Sequence, residues 1–548
     1  MAGLGRCRPY GKRDRGEERA ASHRPRLHSK RHLGRGPAGV QPEQASELRA
    51  FTTYTQEYFA KELFGKIDYG NIEKGGTVFI GRERELALLH RRYESGGFEF
   101  IGLYGRRRVG KSALLSEFTR DLRCGWCAAV EDDAAMNLRL LSQAVWSLQN
   151  PDASPESAPV YADFRLALEA AFDATREERG VLVIDEFPYL AKSDTSFPSV
   201  LQTVIDRRKD RSQLFLVLCG SSLSFMKEQL LNKESPLYGR RTAQIELKPF
   251  DFFDSLRFFP HMTPEDAAAI YGMVGGVPLY LLQFSEERGL SENIADAFLD
   301  PSSILYEEPE SLLKQGVSKV APYNAVVSAI AGGASQHNQI ATRAGLSTAA
   351  LDYYLKELAR IGLVEREEPI PARGGRKAVW RLSDSLFRFW YRFIRPYRAL
   401  IERGLGQTVV ARIGEGLPEH LGPVFEGICR DWLWRQLAQG RLPFPMTDVG
   451  RWWGNDPQAR CEAEIGLVAV DGSQTVMVGE CKWRGEPMGA DQLLKLDRRA
   501  HLAGANSADA RWAFSRSGFT AGCDETAREL GARLVTFDEM CEGVSRPR

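Results

Sequence analysis

Beyond about residue 78 the chain alternates short, continuously apolar runs with longer stretches of helical period. Phe98–Tyr104, Cys124–Val130, Val181–Ile184, Leu214–Cys219 and Ala243–Leu247 are apolar without alternation, which predicts strands buried on both faces. Between them, Glu85–Tyr93, the stretch after Lys111, Ala134–Leu148, Tyr161–Glu177 and Phe197–Arg208 predict helices. Strands and helices in alternation imply an α/β fold with a parallel sheet covered on both faces. Further on, Gly275-Gly276-Val277-Pro278 interrupts a helical region and predicts a tight junction, either a pocket wall or a helix corner.

Residues 322–383 carry a different pattern, that of a winged helix. Helices are predicted at Asn324–Ala331, Asn338–Ala344 and Thr348–Ile361, with Ser347 as an N-cap and Leu351, Leu355, Leu358 and Ile361 on one face. Leu363–Arg366 and Ala378–Leu382 would be the wing strands, and Pro371–Lys377 the wing tip. The third helix exposes Asp352 and Glu357 beside Lys356 and Arg360, so the tip, with Arg373, Arg376 and Lys377, is the better phosphate contact. DNA binding and a packing role both stay open. Phe387, Phe389, Trp390 and Phe393, interleaved with arginines, read as core or as a base-stacking surface.

The strand Phe98–Tyr104 runs into Gly105-Arg106-Arg107-Arg108-Val109-Gly110-Lys111-Ser112 and then a helix, the context a phosphate-binding loop requires. Gly105 and Gly110 let backbone N–H groups wrap the phosphates, Lys111 would reach the β- and γ-phosphates, and Ser112 would hold Mg²⁺. The strand Val181–Ile184 ends in Asp185-Glu186: Asp185 is placed for the Mg²⁺ ion and Glu186 to polarise an attacking water. Gly220-Ser221-Ser222 ends another strand, where a serine, Ser221 in the first instance, orients water or simply caps a helix. Arg240, in Tyr238-Gly239-Arg240-Arg241, is a candidate for a γ-phosphate contact in the same subunit or a neighbour's. ATP and Mg²⁺ are the expected cofactors, and Lys111, Glu186, Ser221 and Arg240 the expected catalytic set.

Composition narrows the class. The 548 residues suffice for three or four domains. No apolar run approaches membrane-spanning length, and the N-terminus lacks the apolar core of a secretory signal. Nine scattered cysteines suit a reducing cytoplasm, with no membrane partner. Cys124-Gly125-Trp126-Cys127 has dithiol spacing, but on a strand, which favours a packing role over redox chemistry. The formal charge of +1 hides an asymmetry: residues 1–40 hold 11 Lys/Arg and 3 Asp/Glu, leaving 62 basic and 69 acidic residues in the remainder. Residues 1–50 are expected to be disordered, as a nucleic-acid arm or a leader without a role.

Phe79-Ile80-Gly81-Arg82-Glu83, the phosphate loop, Ile184–Tyr189, the Gly220 turn, Tyr238–Arg241 and Gly275–Pro278 together resemble the archaeal and bacterial ATPases of the AAA-type, STAND-like branch. Those usually carry a C-terminal domain of unknown function 234. The resemblance implies a P-loop core at 75–250, a helical lid at 251–318, the winged helix at 319–383 and the C-terminal domain at 384–548. It places Gly81 and Arg82 near the adenine and makes Arg240 the preferred arginine. Phe425-Glu426, Ala463-Glu464-Ile465-Gly466 and Val478-Gly479-Glu480-Cys481-Lys482 resemble the PD-(D/E)xK nuclease core. Gly466 departs from that pattern where the principal metal-binding acid belongs. Glu464 lies two residues away, about 6.5–7 Å along a strand. A degenerate nuclease fold, with Glu426, Glu464, Glu480 and Lys482 as its remnant, is therefore expected. The expected function is that of an ATPase switch coupled to the winged helix and the degenerate nuclease-like domain; its rivals are an ATP-regulated DNA nuclease and a non-hydrolysing DNA-binding regulator or scaffold. Association with itself or another protein stays open.

Overall fold

A computed structural model describes residues 79–316, 319–371, 378–506 and 510–544. The expected disorder of residues 1–50 and the wing-tip side chains Arg373, Arg376 and Lys377 lie outside the described residues. The predicted strand–helix alternation forms a five-stranded parallel sheet in the order β2-β3-β4-β1-β5. Its strands are β1 (Glu99–Tyr104), β2 (Cys124–Ala128), β3 (Gly180–Asp185), β4 (Leu214–Gly220) and β5 (Ala243–Glu246). β1, β3 and β4 are the interior strands and are buried along almost their whole length, as continuous apolar runs require. Two separate apolar cores cover the two faces: Phe100, Leu182, Leu216 and Phe172 on one, Ile101, Val183, Val217 and Phe118 on the other.

Parallel pairing puts the C-terminal ends of β1, β3 and β4 at one edge, where the phosphate loop, Asp185-Glu186 and Gly220-Ser221 emerge together. Helix Pro264–Val274 and the short helix Pro278–Leu281 flank the glycine junction. A side chain at Gly276 would meet the Phe250 carbonyl oxygen at 1.9 Å, so only glycine allows this close approach. Cys124 and Cys127 lie on β2. Burial pushes both thiols up to about 12, which leaves them without thiolate character for exchange chemistry.

Helices Val320–Ala331, His337–Ala344 and Thr348–Arg360 precede an antiparallel hairpin of β6 (Val364–Glu367) and β7 (Val379–Leu382). Helix Ser385–Phe389 continues into a turn of π-helix, Trp390–Ile394. Its aromatic side chains are buried, which decides for packing over base stacking. The 33-residue helix Gly406–Ala438 then leads to a mixed sheet, β12-β11-β10-β9-β8. β8 (Asp448–Asp456), β9 (Cys461–Asp471) and β10 (Gln474–Lys482) are antiparallel, and β11 (Ala510–Ser515) and β12 (Arg533–Thr536) continue parallel to β10. One continuous apolar core runs from Phe252 through Leu305, Phe387, Trp390 and Phe425 to Phe537, so the segments after β5 are packed as a connected body.

Candidate functional site

The phosphate loop begins where β1 stops. A side chain at Gly105 would strike the Leu247 carbonyl oxygen at 2.4 Å. Gly110, at φ 89°, turns the backbone into helix Lys111–Thr119. The helix thus starts with free N–H groups facing the loop. Lys111 is buried, and its Nζ donates to the carbonyl oxygens of Gly105 and Arg106 at 3.1 and 3.2 Å. The ammonium is thereby held inside the loop it would use to grip phosphates. Ser112 Oγ donates to Asp185 Oδ2 at 2.8 Å. This brings together the two hard oxygen ligands expected of an Mg²⁺–nucleotide site, and they suit that ion.

Glu186 follows Asp185 in the left-handed region, φ 50° and ψ 44°. That conformation is uncommon for a residue with a side chain. It turns the Glu186 carboxylate toward the end of β4, where Ser221 donates to Oε2 from its backbone N at 3.2 Å and its Oγ at 3.0 Å. Of the two serines, Ser221 is the one that reaches the acid. Ser222 sits at the N-cap of helix Leu223–Leu231 and makes no side-chain cap bond.

Arg82 also has a left-handed backbone, φ 65°. Its Nη2 donates to the carbonyl oxygens of Val109, at 3.1 Å, and Lys248, at 2.8 Å, and its guanidinium stacks 3.9 Å from the Phe250 ring centre. Arg82 therefore ties the segment before the first helix to the phosphate loop, and Gly81 beside it packs against Phe250. Arg107 Nη2 donates to the Tyr189 hydroxyl at 2.8 Å. Arg106 and Arg108 pair with acids much further along the chain, Asp384 and Glu308.

Arg240 is a correction for the same-subunit reading. Thr242 donates to the Phe100 carbonyl oxygen at 2.8 Å, so β5 enters beside the N-terminal end of β1. Arg240, two residues earlier, lies at the opposite end of the sheet from the phosphate loop, on the order of 15 Å of strand away. There its Nε and Nη2 hold Asp206 at 2.9 and 2.6 Å.

In the C-terminal sheet, Glu426 on the long helix faces Gly466 on β9: a Cβ at 466 would lie 3.0 Å from Glu426 Oε1. Burial pushes the Glu426 carboxyl up to about 7, with Arg451 opposing the shift and Glu464 adding to it. The other acids are neutralised from within. Glu480 is ion-paired with Lys482. Arg451, on β8, donates to both oxygens of Glu367 at 3.1 and 2.5 Å and to Glu464 at 3.0 Å. Among the described residues no group of three or more His, Cys, Asp or Glu side chains is arranged to hold a metal ion. The nuclease metal therefore does not fit these residues, because a guanidinium and an ammonium already occupy the carboxylates. Arg451 was invisible in the sequence, since its partners lie on separate strands.

A parallel sheet whose phosphate loop and Asp-Glu strand end meet over one helix N-terminus defines a P-loop ATPase fold. Residues 79–284 match the family described as an ATPase domain predominantly from Archaea, and residues 390–493 match the domain of unknown function 234 of archaeal and bacterial proteins. An uncharacterized protein of Methanocaldococcus jannaschii, MJECL04, is 30% identical over 413 residues, covering 74% of this chain and 88% of that protein. The chain belongs to this family of archaeal-type P-loop ATPases with a C-terminal domain of unknown function 234. An uncharacterized ATP-binding protein of the same organism, MJ0423, is 43% identical over 44 residues, 8% of this chain and 75% of that protein. Among solved structures, the Walker-type ATPase PABY2304 of Pyrococcus abyssi overlaps with a TM-score of 0.43 at 19% identity, over 57% of this chain and 96% of that one.

Proposed function

We propose that the chain is a Mg²⁺-dependent ATP hydrolase working as a nucleotide-driven switch on its own C-terminal part. The observation that carries this reading is the Glu186 carboxylate, held by Ser221 beside the Ser112–Asp185 pair. In this reading Lys111 and the loop N–H groups bind the phosphates. Ser112 and Asp185 hold Mg²⁺, which supplies charge neutralisation when bound. Glu186 orients the water and accepts its proton, and Ser221 keeps that carboxylate aimed. Gly81 and Arg82 flank the base side of the site. Phosphate release from ATP, measured with and without Mg²⁺, tests the reading. A cytoplasmic setting accompanies it, supported by Cys127, Cys219, Cys429 and Cys523, which are buried as thiols. Among the described residues no helix is long and apolar enough to cross a membrane.

The three helices and hairpin of residues 320–382 are read as a winged helix, which makes DNA a candidate partner. The prediction concerns the wing tip. Arg373, Arg376 and Lys377 changed to alanine should weaken DNA binding evenly across sequences and flatten its salt dependence by about 0.9 per lost phosphate contact. If residues 50–548 show no salt-sensitive binding with any nucleotide, the module is a protein contact.

The C-terminal sheet is read as a degenerate nuclease fold that does not cut DNA. The natural chain should bind no Mn²⁺ at this site in a paramagnetic titration and should leave plasmid DNA intact. Gly466→Asp combined with Arg451→Gln restores an acid and frees Glu464, and should create a Mn²⁺ site. Mn²⁺-dependent cleavage by the natural chain, lost in Glu480→Ala, would show that the ion pairs open and that the nuclease rival is correct.

A further inference from the structure

The phosphate loop is tied to two buried carboxylates about 200 to 280 residues downstream. Arg106 is ion-paired with Asp384 and Arg108 with Glu308. These acid side chains are only 1% and 3% exposed. Glu308, on helix Ile304–Gly316, also accepts from the Tyr280 hydroxyl at 2.7 Å. The Tyr280 ring centre lies 6.0 Å from both guanidinium carbons. Asp384 caps the next helix as well, accepting from the Phe387 backbone N at 2.8 Å. Its neighbour Ser383 donates to the Gly362 carbonyl oxygen, at the end of the third helix before the hairpin. The second terminal nitrogen of Arg106, Nη2, is buried and meets no hydrogen-bond acceptor among the described residues.

These contacts set up a competition. A buried carboxylate is strongly disfavoured once it loses its cation, so Asp384 and Glu308 follow the loop arginines or hold them back. A triphosphate brings several negative charges to the same loop, within a few ångströms of these pairs. Its field therefore acts on the same two guanidiniums, which the buried acids hold from the other side. Leu305, Phe387 and Trp390 belong to the continuous core that reaches the C-terminal sheet, so a shift at Asp384 or Glu308 is not absorbed locally.

We propose that Arg106 and Arg108 are positioning residues that transmit the occupancy of the phosphate loop, through Asp384 and Glu308, to helix Ile304–Gly316 and to the segment 384–394. This inference rests on the ATP-binding reading above and names the joint through which the switch acts. The loop thus has two sides. Its backbone and Lys111 face the phosphates, and its arginine side chains face the helical body.

The test uses the full chain and the non-hydrolysable imido analogue of ATP with Mg²⁺. Calorimetry measures binding, and hydrogen exchange follows residues 304–314 and 384–394. In the natural chain the nucleotide should change exchange in both segments by at least about fivefold, the lower end of typical coupling between sites. Asp384→Asn should still bind the analogue but respond by less than about twofold in segment 384–394. Because Asp384 also caps a helix, Arg106→Gln serves as the second variant. It leaves the cap intact and should lose the same response, and Arg106→Lys should recover part of it. A merely structural contact would alter basal exchange in these variants without removing the nucleotide-dependent difference. The proposal is overturned if the natural chain binds the analogue with no change in either segment, or if both Asp384→Asn and Arg106→Gln keep the full response. Absence of binding to the natural chain in calorimetry would instead overturn the phosphate-loop reading, and this proposal with it.

Discussion

Lys111→Ala should abolish nucleotide-dependent thermal stabilisation and weaken ATP binding by about 10²-fold or more, the scale of losing a charge-assisted phosphate contact in a desolvated site. The ammonium is buried and is already held by the carbonyl oxygens of Gly105 and Arg106, so it need only exchange these partners for phosphate oxygens. Alanine removes the charge from the centre of the loop while leaving Gly105, Gly110 and the helix N-terminus in place. The unliganded melting temperature checks that the fold survives. Unchanged ATP affinity by calorimetry in a folded variant would mean that this loop does not bind the nucleotide.

Glu186→Gln should lower turnover about 10²–10⁴-fold, the range for loss of a positioned base, with ATP affinity little altered. The amide keeps the size of the side chain, but it accepts a proton poorly from water. Ser221 donates to Oε2 through both its backbone N and its Oγ. Ser221→Ala leaves the backbone donor in place, so it should cost much less, about tenfold. Turnover in Glu186→Gln comparable to the natural chain would move the catalytic role to another group.

The parallel sheet was legible because its interior strands are continuous apolar runs, and because a strand running into Gly105 and another ending in Asp185 must share an edge once they run parallel. The contact between Ser112 and Asp185 follows from that edge. Arg240 stands close in sequence to β5, yet the direction of that strand takes it away from this chain's own phosphate loop, which bears on the same-subunit contact alone. Residues just before a parallel strand lie at its N-terminal end, away from the phosphate loop. The direction of Ser221 was not legible, since it depends on the left-handed turn at Glu186, which no sequence pattern marks.

Long-range charge pairing was the least legible part. Arg106, Arg107 and Arg108 stand together in the sequence yet go to Asp384, Tyr189 and Glu308. Nothing in the local pattern distinguishes Asp384 from any other helix cap. Gly466 stands where the nuclease-like pattern carries an acid. That Arg451 binds Glu464 and Glu367 depends on the pairing of β8 with β9 and on the nearby hairpin strand β6.

The central claim is that this chain hydrolyses ATP and does not merely hold it. The most direct measurement is steady-state phosphate release by the full chain, with and without Mg²⁺ and with single- and double-stranded DNA present. The account predicts Mg²⁺-dependent release that Glu186→Gln removes. Stoichiometric, Lys111-dependent ATP binding without phosphate release under any of these conditions would contradict it and leave the nucleotide as a structural ligand of a scaffold.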